Sequence, residues 1–363
     1  MIGISIYPEH AGTQEIKDYI KLASSYGFKR IFTCLLSVTK DKEEVIEEFK
    51  EIIDYAHEYD FHVILDISPA VFDTLGISYD DLSFFKEMGA DGIRLDEGFG
   101  GSKESSLSFN PQNLDIEINM SQDVFYLDNI FSYKPNGKKL IGSHNFYPQK
   151  YTGLGYDYFI KCSERFKKYN MNTSAFVNSQ SAKIGPWPVM EGLCTLEEHR
   201  NLPISTQVKH LFASGLIDDV IIANMFAAEE ELKAVSIASH DILTLDIIAS
   251  ELNSEIENKI LFEEEHFNRG DVNEYMIRST LSRVKYKAED FKAHDNPNLL
   301  NRGDVIIGND NFGQYKGELQ VITKQIEDPE CRRNVVGKIR EEDIMLLDFI
   351  SPWKHFRFNP LRR

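Results

Sequence analysis

Short apolar runs at 2–7, 30–35, 61–65, 90–95, 114–118, 139–142, 172–177 and 219–223 recur along the first two thirds of the chain. Runs of this length, rich in Ile, Val, Leu and Phe, suit strands buried on both faces of a parallel sheet. Between them the apolar positions change to helical spacing. Val45, Ile46, Phe49, Ile52, Ile53 and Ala56 mark one face of a helix over 41–58, with Asp41 as its cap. Thr13 is placed to cap a helix over 13–26 that Gly27 stops. Similar patterns predict helices over 79–88, 122–131, 156–169, 195–214 (despite Pro203) and 227–239.

Strands that alternate with helices in this way, over 1–245, predict an α/β fold: a (β/α)8, TIM-like barrel. The alternative is an open, doubly wound sheet. After 245 the pattern changes. Strand-like runs at 259–262, 275–278, 304–308, 318–322 and 344–349 are separated by turn signals at 309–313 and 327–329. We expect a second, small and mostly β domain over 246–363, with 353–363 as a packed or fraying end.

Composition narrows the function. The chain has 363 residues and a formal net charge of -18, which argues against nucleic acid and anionic membrane surfaces as partners. A local cationic cluster still leaves room for a small anionic substrate. Cys34, Cys162, Cys194 and Cys331 are scattered without zinc spacing, so reduced thiols and no structural metal are expected. With no leader-like start and no apolar run of membrane length, the expected location is the cytoplasm. Oligomeric state is open.

In a parallel barrel the carboxyl ends of the strands meet at one mouth. The predicted ends carry Asp66, Asp96, Asn119, His144, Asn178 and Asn224, with Glu97 and Glu191 on nearby loops. Singly, each reads as a cap or turn residue. Together, carboxylates and amides suit a polyhydroxylated ligand, and paired acids suit glycoside hydrolysis. A metal hydrolase is the rival, but no second histidine falls at a strand end. No metal and no cofactor are expected.

Three segments carry a resemblance: Gly92-Ile-Arg-Leu-Asp-Glu-Gly-Phe99, Gly142-Ser-His-Asn-Phe-Tyr-Pro148, and the loop from Gly185 through Glu191 and Thr195 to Arg200. With Ile277-Arg-Ser-Thr280, Asn301-Arg-Gly-Asp304 and Tyr315-Lys-Gly-Glu-Leu-Gln320, they resemble the MupG-type 6-phospho-N-acetylmuramidase family over essentially the whole chain. The resemblance implies a TIM-like barrel followed by a cyclophilin-like domain. It also implies hydrolysis of the disaccharide N-acetylmuramic acid 6-phosphate–N-acetylglucosamine in cell-wall recycling. Cys194 stands where the family pattern favours proline, which predicts a more mobile loop.

On this reading Asp96 and Glu191 do the proton and charge work, and Asp66 supports them. Glu191, shielded by Trp187 and Met190, would act as the general acid. Asn119, His144, Asn145, Tyr147, Asn178 and Asn224 would bind sugar. Arg278 and Arg302 would read the phosphate, with Arg94 either joining them or pairing with a buried carboxylate. Rival readings are a sugar-phosphate isomerase or aldolase on the same barrel, and a non-enzymatic binding protein.

Overall fold

The computed structural model describes residues 1–35, 42–67, 72, 75–95 and 98–361. It forms two compact units, Met1–Ile237 and Ala238–Arg363. In the first, Ile2–Ile6 (β1), Arg30–Leu35 (β2), His62–Ile67 (β3), Gly92–Leu95 (β4), Asp115–Asn119 (β5), Leu140–Ser143 (β6), Asn172–Val177 (β7) and Asp219–Ile222 (β8) are parallel strands. Each pairs with the next, and β1 also pairs with β8, so the sheet closes. That closing ladder excludes the open, doubly wound alternative.

Helices Thr13–Ser25 (α1), Lys42–His57 (α2), Ser83–Glu87 (α3), Ser102–Leu107 (α4), Tyr126–Ser132 (α5), Tyr156–Lys167 (α6), Ile204–Ala213 (α7) and Glu229–Ser236 (α8) lie between strands or follow the last one. Local chemistry sets several of their ends. Thr13 is the first helical residue of α1, and Gly12 is its cap. Asp41, expected to cap α2, lies outside the described residues. The helix expected over 195–214 starts only at Ile204, because Pro203 is its N-cap and proline disrupts a helix that tries to run through it. The helix expected over 79–88 shrinks to α3. Helix α4, which periodicity missed, begins where buried Glu104 reaches back to accept from the Gly101 N–H at 2.7 Å.

Charge runs through the barrel interior. Arg30, at the start of β2, donates to Asp219 at 2.6 Å and also binds Glu117. Glu117 accepts in turn from Arg94 on β4 at 2.9 Å. All four side chains are buried. Gly3 on β1 makes room for this column: a Cβ there would lie 2.8 Å from the Arg30 carbonyl oxygen. Each arginine of the column meets a carboxylate, which is the condition for burying charge at tolerable cost.

The second unit contains the strands Leu243–Ala249 (β9), His266–Phe267 (β10), Met276–Ser279 (β11), Leu299–Leu300 (β12), Asp304–Gly308 (β13), Leu319–Ile322 (β14), Ile326–Glu327 (β15), Arg333–Ile339 (β16) and His355–Pro360 (β17). Seven of them form one sheet in the order β10-β17-β9-β16-β13-β14-β11, and β12 pairs separately with β15. Leu300, Ile306, Ile322 and Val335 pack together in its core. Two expected strands are corrected. The run at 259–262 lies in a helix, Glu255–Glu263, which Ser254 and Glu257 start with a reciprocal capping box. The run at 344–349 lies in a 3-10 segment, Glu341–Phe349. The tail expected to pack or fray supplies β17, which pairs with both β9 and β10. No helix among the described residues is long and apolar enough to cross a membrane.

Candidate active site

The strand carboxyl ends open on a cavity of about 110 Å³ lined by Phe32, Cys34, Asp66, Arg94, Asn145, Phe146, Phe176 and Trp187. Ladder register assembles its polar floor: Cys34 stands opposite Asp66, and Asp66 opposite Arg94. In a parallel ladder such partners project to the same side of the sheet. Arg94 is only 4% exposed and spans from Glu117 below to the Asn145 side-chain oxygen above. The interior charge column therefore ends at the mouth.

Asn145 is held from three directions. Its backbone N–H donates to the Ser121 hydroxyl at 2.8 Å. Its carbonyl accepts from Thr195 at 2.9 Å, and its side-chain oxygen accepts from Arg94. The Asn145 amide nitrogen makes no hydrogen bond among the described residues and can donate to a ligand. Aromatic rings form the wall. Phe32 and Phe146 each meet Phe176 edge to face, at 5.2 and 5.0 Å, and Trp187 packs on Phe146 at 5.5 Å. Burial and the neighbouring Asp66 push the Cys34 thiol pKa up, so it stays protonated.

Other expected site residues are placed differently. Asp96 and Glu97 lie outside the described residues. His144 does not reach the cavity: it is fully buried, with its ring nitrogens 3.2 Å from the Ser121 hydroxyl and 2.9 Å from the Ser163 hydroxyl. Burial, helped by Arg94, lowers its pKa to about 3, so it is a neutral brace under the β6 loop. Tyr147 lies on that loop, half-buried, and its backbone joins Cys194. Asn119 accepts from the Ser121 N–H at 2.9 Å and lines a neighbouring cavity of about 340 Å³ with Gln122 and Tyr126.

Glu191, Asn178 and Asn224 share a third cavity of about 500 Å³ with Lys150, Lys183 and Arg200. Both asparagine side chains are spent on the chain itself. Asn178 accepts from the Leu193 N–H at 2.9 Å, and Asn224 accepts from the Ser179 N–H at 2.8 Å. Glu191 is exposed and accepts from the Lys150 N–H at 3.0 Å, whereas Trp187, earlier on the same loop, lines the mouth cavity. The loop thus presents its tryptophan, not its acid, to Asp66. Cys194 on this loop is fully buried and bridged to Tyr147, with a thiol pKa raised by burial to about 12.

Arg278 and Arg302 belong to the second unit. Arg278 forks onto buried Glu318 at 2.7 and 3.2 Å, and Arg302 binds Asp348 at 2.8 Å. Sequence reasoning missed Phe32, Cys34, Phe146 and Phe176 as lining and Glu117 and Arg30 as the column beneath, and it set Trp187 beside Glu191, whereas Trp187 lines the cavity of Asp66. The usable signal was a charged residue in the middle of an apolar strand, which needs a buried partner.

Residues 2–237 match the N-terminal domain of the 6-phospho-N-acetylmuramidases, and residues 243–359 match their C-terminal domain. The chain belongs to the 6-phospho-N-acetylmuramidase family. A crystal structure of an uncharacterized B. cereus protein is 51% identical, covers 99% of each chain and superposes with a TM-score of 0.92. A conserved Enterococcus faecalis protein of unknown function is 24% identical over 99% of this chain and 96% of its own, with a TM-score of 0.76, which supports the fold alone. No curated protein matches the chain. The family is one of glycosidases, in keeping with an acid at the floor of a barrel mouth.

Proposed function

We propose that the chain hydrolyses the glycosidic bond of N-acetylmuramic acid 6-phosphate–N-acetylglucosamine. The observation that carries this reading is the Asp66 carboxylate beside Arg94 and the Asn145 amide, under an aromatic wall. Asp96 follows Leu95, the last residue of β4, and is the second acid of the pair. In this scheme Asp66 takes the role expected of Glu191 and protonates the leaving oxygen. Asp96 stabilises the oxocarbenium-like centre, or orients the acetamido group if that group is the nucleophile. Asn145 donates to a sugar oxygen, and Phe146 and Trp187 cover an apolar sugar face. An aldolase working through a Schiff base would want a lysine here, and none is among the described residues that line the cavity.

The test compares the natural disaccharide with an activated aryl glycoside of the 6-phosphosugar. Asp66→Asn should slow the natural substrate by about 10²–10⁴-fold and the aryl glycoside far less, since an activated leaving group needs no proton. Near wild-type cleavage of the disaccharide by Asp66→Asn would overturn the reading.

For the phosphate we propose the cleft of about 500 Å³ beyond β7 and β8. Barrel enzymes frequently bind phosphate at the loops after these two strands. The ammonium groups of Lys150 and Lys183 form no ion pair among the described residues, and both line the cleft. Lys150→Met and Lys183→Met should each narrow the preference for phosphorylated over unphosphorylated disaccharide by about tenfold. An unchanged preference in both, with a loss in Arg278→Met, would return the phosphate to the second unit. We place the reaction in cytoplasmic cell-wall recycling. The four cysteines are free thiols, as suits a reducing compartment.

A further inference from the structure

Away from the mouth, Glu198, His199 and His210 bring one donor atom each to within 4.8 Å of the others. Glu198 and His199 sit in the 3-10 turn Glu197–His199, and His210 in α7. His199 Nε2 lies 2.8 Å from His210 Nδ1, and that same Nδ1 lies 3.7 Å from a Glu198 oxygen. Zinc bonds of roughly 2.0–2.1 Å in a tetrahedron hold neighbouring donors about 3.3 Å apart. The two observed separations bracket that value.

We propose that Glu198, His199 and His210 form a binding site for a first-row transition-metal ion of the Zn²⁺ class. Two imidazoles and one carboxylate are the donor set such ions take, and hard ions such as Mg²⁺ or Ca²⁺ prefer oxygen alone. Both histidines are buried, so folding itself has oriented them. The Tyr156 ring stacks on His210 at 4.8 Å and fixes its plane. Glu198 is partly exposed, which leaves a path for the ion and a position for water. Its carboxylate meets no lysine or arginine among the described residues.

A hydrogen bond between the two rings is the competing account. It explains the 2.8 Å contact with one shared proton but gives Glu198, 3.7 Å from His210 Nδ1, no part. A bound ion would tie the loop after β7, which carries Trp187, to helix α7.

The experiment uses the full chain, stripped with chelator and titrated with ZnCl₂ by calorimetry, with CoCl₂ as a spectroscopic probe. One equivalent should bind, raise the melting temperature and, with cobalt, give the visible bands of a site having nitrogen ligands. Glu198→Gln, a change at a partly exposed position that spares folding, should weaken Zn²⁺ at least about tenfold. His57→Gln, at a histidine outside the cluster, should change nothing. Absence of one-to-one binding in the wild type, or binding unchanged by Glu198→Gln, would overturn the site and establish the ring pair as a hydrogen bond alone.

Discussion

Asp66 and Arg94 face each other across the β3–β4 ladder, and both line the mouth cavity. Arg94 is pinned below by Glu117 and above by Asn145, so its guanidinium sets the position of the polar floor. Lysine carries the charge but not the fork that spans two partners. Arg94→Lys should therefore cut kcat/KM by about 10²-fold, the scale of a small misplacement of reacting groups. Combining it with Asn145→Ala should cost little more than either change alone, because both break the same contact. Additive losses in the double variant would show that the contact does not organise the site.

Glu117 holds two arginines inside the barrel, and it is itself fully buried. Its removal leaves uncompensated positive charge. Glu117→Gln should lower stability by about 3–5 kcal/mol, the usual cost of breaking a buried pair from one side. Chemical denaturation reads this directly. A loss below about 1 kcal/mol, typical of surface pairs, would mean that water reaches the column.

Trp187 is 44% exposed and packs on Phe146 over the cavity. As a cover for one sugar face, it should act mainly on binding. Trp187→Ala should raise KM with little change in kcat or melting temperature. The chain has two tryptophans, so ligand-induced fluorescence change should vanish in Trp187→Phe. A change that persists would assign the signal to Trp353 and remove Trp187 from the site.

Acid should loosen the loops after β6 and β7 by two routes. Hydrogen bonds from Arg200, with the Tyr151 and Gly153 N–H groups, lower the Glu197 pKa from 4.5 to about 2. A depressed carboxylate contributes stability above its unfolded pKa and loses it as pH falls through the folded value. His144 is depressed by burial from 6.5 to about 3. The unfolded chain thus takes up that proton first, and stability falls as pH drops from 6.5 towards 3. The melting-temperature gap between wild type and Glu197→Gln should be constant above pH 4.5 and shrink towards pH 2. A gap that widened with acid would reverse the assignment.

Fold class was legible because a buried parallel strand needs an unbroken apolar run and its covering helix needs helical spacing. Runs such as Arg30–Leu35 and Asn172–Val177 carry that constraint locally, and their observed bounds match the expected ones. It failed where local signals compete: the apolar run at 259–262 fits strand or helix, and the capping box at Ser254 decides for helix. The motifs at 92–99, 142–148 and 185–200 likewise sufficed to place the chain in its family.

Which motif residues meet was decided only in three dimensions. Loop acids and strand-end amides look alike along the chain, because their direction depends on register and on what already occupies their hydrogen bonds. Register set Cys34, Asp66 and Arg94 on one floor. The turn at 185–192 sent Trp187 to that floor's cavity and Glu191 to another. His144 was claimed by two serines from distant segments. Such choices rest on contacts between residues far apart in sequence, which no local pattern records.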